Sequence, residues 1–418
     1  MFFFYQILFL IVILFSPLII LIRLLKNKED KKRFLEKFTI NLKKRKPGNL
    51  IWFHAASVGE FLSIVPLVKE LEKRKDIKNI LVTTSTLSSS KIFENFKFKK
   101  TIHQFFPIDY FYFTSKFINY WKPRIAIFID SEIWPCMFRE IKKNSIPLLL
   151  MNARITNKSF TKWSFFKNFS KDTFAKIDIA YPANTETLKY LKKFNVKKIK
   201  NIGNLKFTDD KDSSKDTLTK SFLLKLKKRL IWVASSTHPS EEVLVGKTHL
   251  ELSKRFKKLL TIIIPRHVNR VSEIKDDLTT IGLNTITRSS KRKIDFNTDI
   301  YLVDTYGETK KFFKIAKMIF IGGSIVNHGG QNPIEPARYG LSIVHGPNVR
   351  NFKDIFKFFK EKKLAFKINN QNQLTAISHK LLKKKKTKTI DLKKIGKNIL
   401  KKSVLEINQI FVNEIKKT

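Results

Sequence analysis

The residues whose types and spacing could do chemistry fall into a few short stretches, the most distinctive being GGSIVNHGGQNPIEPARYG, Gly322 to Gly340, between the apolar runs KMIFIGG and LSIVHGP. Glycines let a backbone come close to a ligand, and Asn332 with Pro333 can open a short helix whose unpaired N–H groups suit an anion such as phosphate. Glu335 would then sit in the first turn, where a carboxylate cannot bind phosphate but can accept hydrogen bonds from the paired hydroxyls of a ribose. Phosphate beside ribose describes a nucleotide; the competing reading is a structural glycine turn with a Glu that complements the helix dipole. Glu60 closes the loop HAASVGE next to Gly59, where it could act as a general base on a hydroxyl, or simply cap the helix that follows. Arg266 and His267 come directly after the apolar run LLTIIIP, an expensive place for polar groups unless they meet a ligand, although His267 could equally cap the strand end.

These residues need a scaffold that brings strand ends together, and the chain has the pattern for one. NLIWFHA, NILVTT, HQFFP, RIAIFID, PLLLMNAR and KIDIAYP are continuous apolar runs separated by helical patterns, with KIKNIGN closing this half near Asn204. Such runs imply a parallel sheet covered on both faces. DDKDSSKDTLTK, from Asp209, loses apolar periodicity and reads as a linker. A second alternation follows through LIWVASST, LLTIIIPR, DIYLVDT, KMIFIGG and LSIVHGP, and Leu392 to Ile415 forms an amphipathic last helix. The expected fold is α/β, with two Rossmann-like domains facing a cleft. The expected division is an anchor over 1–25, an N-terminal domain over 26–207, a C-terminal domain over 208–390 and a helix over 391–418 that packs back across both. Ligands bind such sheets beyond the carboxyl ends of the strands. HAASVGE, DSEIWP, NAR, SSTHP, PRH, DTYGE and GGQNPIE all lie there, which also brings His54, Arg154 and Ser236 to the cleft.

Lys and Arg number 83 against 35 Asp and Glu, a net charge of +48 that attracts polyanions, nucleic acid and anionic membrane alike. The lysines are spread over nearly every helix, and the aromatics lie mostly in apolar runs instead of alternating with basic residues, which argues against a nucleic-acid partner. One cysteine, Cys136, leaves no intrachain disulfide and no cysteine zinc site. No charge appears from Met1 to Ile22, a run long enough to span a bilayer, and Arg23, Lys26, Lys28, Lys31, Lys32 and Arg33 follow it. The basic flank places the rest of the chain in the cytoplasm and at anionic headgroups. With Pro17 interrupting the run, a helix lying in the interface is the alternative to a spanning one.

With HAASVGE, DSEIWP, NAR, GNLKF, PRH, DTYGE and GGQNPIEPA in this order, the chain resembles the membrane-anchored 3-deoxy-D-manno-octulosonic acid (Kdo) transferases of lipopolysaccharide assembly over nearly its full length. The resemblance implies the GT-B glycosyltransferase fold, CMP-Kdo as donor, a lipid A precursor as acceptor, an inner-membrane location, and inversion without cofactor or catalytic metal. It implies Glu60 as the base, with Glu132 and Lys206 stabilising the transition state. On the donor side it implies Arg266, His267, Tyr306, Gly307, Glu308, Asn332, Pro333, Ile334 and Glu335 as the CMP site. A UDP-sugar enzyme of the same architecture is the alternative, and a non-catalytic binder of anionic lipid or nucleic acid is the alternative from another class.

Overall fold

The computed structural model describes residues 1–208, 217–384 and 391–416. The chain divides into two compact units, Met1–Asp210 with Lys393–Thr418, and Lys211–Leu392. The expected linker lies largely outside the described residues.

The first unit is built on six strands, β1 (Leu50–His54), β2 (Asn79–Thr84), β3 (Thr101–Phe105), β4 (Ile125–Ile129), β5 (Leu148–Ala153) and β6 (Ile179–Pro182). They pair in parallel in the order β3-β2-β1-β4-β5-β6. Most strand residues are buried, as a sheet with helices on both faces requires. Aromatic rings fill the core: Trp52 lies 5.0 Å from Phe117 and 5.1 Å from Phe128, ring centre to ring centre. Burying each such ring contributes on the order of 1.5–3 kcal/mol. Because the chain leaves β1 in one direction and returns at β4 on its other side, the loops after β1 and β4 diverge and open a crevice at the carboxyl ends.

The second unit repeats the plan with β7 (Leu230–Thr237), β8 (Leu259–Pro265), β9 (Thr285–Thr287), β10 (Ile300–Leu302), β11 (Met318–Ile321), β12 (Ser342–His345) and β13 (Ala365–Lys367). Their order is β13-β12-β11-β7-β8-β10-β9, so the reversal here falls between β7 and β11. β9 and β13 go beyond the strands expected from apolar runs, being three-residue edge strands with partly exposed side chains. KIKNIGN contributes only a single bridge, Ala180 to Ile199.

α1 (Phe2–Leu25) is the one helix among the described residues long and apolar enough to cross a membrane. The last helix, Leu392–Lys416, belongs to the first unit, where Glu406 accepts from the Tyr181 hydroxyl at 2.8 Å and from Lys200 at 2.6 Å. Gly396 permits that seat, since a β-carbon there would lie 2.3 Å from the Phe207 carbonyl oxygen.

Candidate active site

At the first switch point α2 (Val58–Glu72) begins two residues before Glu60, so Glu60 lies in the first helical turn and not in the loop. Ser57 is the N-cap, and the pair forms a capping box: Ser57 Oγ accepts from the Glu60 amide at 3.4 Å, and Glu60 Oε2 accepts from the amides of Ala56 at 2.7 Å and Ser57 at 3.3 Å. The capping role is therefore real, but it uses one carboxylate oxygen and leaves Oε1 unbonded. Burial pushes the Glu60 carboxyl up to about 7, and the nearby charges of Glu132 and Asp130 push in the same direction. A carboxylate tuned to neutrality with one oxygen open is what a general base needs.

Glu132 is set differently. Burial raises its pKa, but the hydrogen bond and charge of His54 and the bond from Trp134 outweigh this and hold it below the usual carboxylate range. Its Oε2 lies 3.1 Å from His54 Nε2 and accepts from Trp134 Nε1 at 2.8 Å. An ionised carboxylate has no proton to offer, so Nε2 carries the hydrogen of the His54 contact. His54 ends β1 and is fully buried, with Nδ1 2.9 Å from Thr83 Oγ1, which also receives the Trp52 indole N–H at 2.9 Å. Two carboxylates near one another, one pushed up and one held down, have environments suited to different roles.

Lys206 reaches this cluster through a relay of Asn side chains. Asn152 at the end of β5 donates to Asp130, and its carbonyl accepts from the Leu205 amide at 2.9 Å, fixing the turn Leu205–Phe207 that carries Lys206. Asn204 accepts from the Lys206 amide at 2.9 Å. Burial raises the Asp130 carboxyl, against the charges of Lys206 and then Arg154. Asp130 and Asn152 both have left-handed backbone, φ 56° and 53°. Asn152 opens the NAR stretch but had no role assigned from sequence, and Thr83 was not singled out, since each acts only through a neighbour brought close by the sheet.

At the second switch point the glycine stretch turns out to be filled from within. Glu241, completely buried, accepts from the amides of Gly323 at 2.7 Å, Ser324 at 3.1 Å and Ile325 at 2.9 Å, and from that of His238 at 3.1 Å. The amides of Gly323, Ser324 and Ile325 are therefore already taken, and an anion would have to meet this stretch further along, where Asn332 and Pro333 open the next helix. Gly322 is obligatory for the approach of β11 to β7, because a β-carbon would lie 2.3 Å from the Ser236 carbonyl oxygen. His238, beyond β7, stacks on His328 at 4.1 Å and stands 6.2 Å from His267. Burial, then the charges of His328 and His267, lower its pKa to about 4, and its Nε2 is buried without a hydrogen-bond partner. His238, Glu241 and His328 were not singled out by sequence; SSTHPSEE offers His238 and Glu241 just after a strand, and only contact with the glycine loop gives them meaning.

The other expected donor residues lie on loops of the same unit. Arg266 and His267 are exposed just after β8. Asn332 uses its side-chain oxygen to accept from the Ile334 amide at 3.0 Å, and Pro333 caps the short helix Ile334–Arg338. Glu335 in its first turn is 3.0 Å from Lys310, so a ribose would have to share or displace that lysine. Tyr306 is 77% exposed and Gly307 has φ 81°. Glu308 is committed elsewhere: bonds from Arg288 at 3.0 and 3.1 Å and from Lys311 at 3.0 Å tie it down, and the Arg288 bond above all lowers its pKa to about 2. Its part in a nucleotide wall would be to brace Arg288 and Thr305.

Two Rossmann-like units, each with polar residues gathered at its switch point, define a protein of the GT-B fold class. Known proteins agree on fold: a putative UDP-N-acetylglucosamine 2-epimerase from Listeria monocytogenes aligns over 89% of this chain and 98% of its own, with TM-score 0.58 and 14% identity. The family model described as 3-Deoxy-D-manno-octulosonic-acid transferase (kdotransferase) matches residues 32–209. The 3-deoxy-D-manno-octulosonic acid transferase of Rickettsia bellii is 34% identical over 95% of this chain and 93% of its own, and that of Haemophilus influenzae is 30% identical over 78% and 77%. The chain belongs to the Kdo transferase family.

Proposed function

We propose that this transferase takes Kdo from CMP-Kdo and attaches it, with inversion, to a hydroxyl of a lipid A precursor of lipid IVA type, at the cytoplasmic face of the inner membrane. The observation that carries the reading is the Glu60 carboxyl, poised near neutrality with Oε1 open. In a single displacement Glu60 takes the acceptor proton as the acceptor oxygen bonds to the anomeric carbon. The bond from that carbon to the CMP phosphate breaks, and CMP leaves with the electron pair. Lys206 offsets the negative charge of the sugar carboxylate or the departing phosphate, and Glu132 steadies the positive charge that develops on the sugar. Arg266 and His267 lie near the nucleotide phosphate, and Asn332 to Glu335 near phosphate and ribose. Membranes containing the protein, incubated with CMP-Kdo and a lipid A precursor, should yield a lipid heavier by whole Kdo units. Product formed only with a UDP-sugar would move the assignment to another enzyme of the same architecture.

On the donor side, Glu335→Ala should weaken CMP binding by roughly ten- to a hundredfold, the effect of losing a charge-assisted hydrogen bond worth about 1.5–3 kcal/mol. Calorimetry on the folded variant measures it, and unchanged affinity would remove Glu335 from the donor site.

A further inference from the structure

The first turns of α1 are docked on the first unit. Phe2, Tyr5, Phe9, Ile13, Ser16 and Ile20 are buried or half-buried at three- and four-residue spacing, the signature of a single helical face against a surface. Every exposed residue from Phe3 to Leu25 is apolar. The start of the helix is held by polar contacts. The Tyr5 hydroxyl donates at 2.7 Å to Asp109, a fully buried carboxylate that also accepts from the amides of Cys136 at 3.0 Å and Met137 at 2.8 Å, at the head of the helix Pro135–Lys143. Gln6 donates to Cys136 and accepts from the Phe111 amide at 3.3 Å, and the Arg139 guanidinium sits 4.0 Å over the Phe2 ring. At the far end Arg23 pairs at 2.9 Å with Glu29, which also holds Lys37 at 2.6 Å.

Both ends of a 24-residue helix are thus fixed to the same folded unit. A helix of that length, about 36 Å, could cross a hydrocarbon core of about 30 Å only by carrying its first residues to the side away from the domain. Doing so would strip Tyr5 from Asp109 and leave a buried carboxylate short of a donor. We infer that α1 attaches the protein to an anionic phospholipid bilayer from one side only, lying in the plane of the leaflet with its inner face on the first unit and its apolar outer face among the acyl chains. Phe111 and Tyr112, 56% and 55% exposed, and Phe165, 82% exposed, add apolar contacts from the same unit. A cavity of about 510 Å³ beside the clasp has Phe2, Phe111 and Cys136 on its lining together with Arg139, Lys143 and Lys176, an apolar floor with cations suited to a lipid phosphate.

The inference rests on membrane attachment, and not on donor or acceptor. It is tested with the full chain carrying a protease-cleavable peptide ahead of Met1. In sealed inverted inner-membrane vesicles the peptide should be cleaved along with the folded units, and in spheroplasts it should be protected; cleavage in spheroplasts alone overturns the in-plane arrangement. Nitroxides placed at Phe4→Cys, Ile11→Cys and Leu18→Cys, all exposed and seven residues apart, give an independent depth measurement. Similar depths are expected in anionic vesicles, and a maximum at position 11 with shallow flanks overturns the inference. Release of the full chain from membranes by an alkaline wash would instead overturn attachment itself, leaving the transferase reading in place.

Discussion

Glu60→Gln is expected to lower Kdo transfer by about 10²–10⁴-fold, the loss typical of removing a positioned base, while CMP affinity stays near wild type. The substitution is clean for a structural reason. Gln at the third helical position can still accept from the amides of Ala56 and Ser57, so the capping box and α2 survive and only basicity is lost. Glu60→Ala would remove cap and base together. The pH dependence identifies the residue. With its pKa raised to about 7 by burial and then by the charges of Glu132 and Asp130, Glu60 is protonated and idle below neutrality and competent above it. The single-turnover rate of the wild type should therefore rise through pH 7, and the residual rate of Glu60→Gln should lack that limb. Glu132, held below the usual carboxylate range, stays ionised through this window, so Glu132→Gln should lower the rate without erasing the limb. Near-normal turnover of Glu60→Gln with the limb intact would rule out Glu60 as the base.

Glu241→Gln is expected to loosen the glycine loop. Each oxygen of the native carboxylate serves two amides, Oε1 those of Ser324 and Ile325 and Oε2 those of Gly323 and His238. An amide side chain replaces one acceptor with a donor and leaves two buried N–H groups unpaired, at about 1–3 kcal/mol each. The loop should open locally, so hydrogen exchange at 323–325 should accelerate by roughly thirty- to a thousandfold, or about 2–4 kcal/mol by the usual conversion. CMP affinity should fall at least tenfold, because a donor site resting on that loop must re-order it before binding. Unaltered exchange at these amides would show that Glu241 is not what holds the loop. Faster exchange with full CMP affinity would place the nucleotide elsewhere.

The architecture was open to sequence because its signals are local. A strand buried on both faces must be largely apolar, as LIWFH and LLTIIIP are, and a helix between two such strands forces a parallel crossover. α1 was equally legible, since an uncharged apolar run needs no tertiary context to be recognised. The ordered motifs also carried the family. The three-residue edge strands escaped because half-exposed segments such as TIT bury too little to show an apolar run.

The chemistry of the site was legible only as residue types at strand ends. Composition and order by themselves determined a basic α/β chain with two Rossmann-like units, an apolar first helix, and carboxylates, histidines and glycines placed at the ends of strands. Tertiary structure decided what those groups are. It set Glu60 near neutrality by burying it and bringing Glu132 and Asp130 beside it, gave Glu132 to His54 and Trp134, and occupied the amides of the glycine loop with Glu241. It also laid one face of α1 on the first unit, with Tyr5 on Asp109 across 104 positions of sequence. The division follows from range: burial patterns repeat over a few residues and are written along the chain, whereas charge coupling and hydrogen bonding depend on distances of a few ångströms between residues that only the fold brings together.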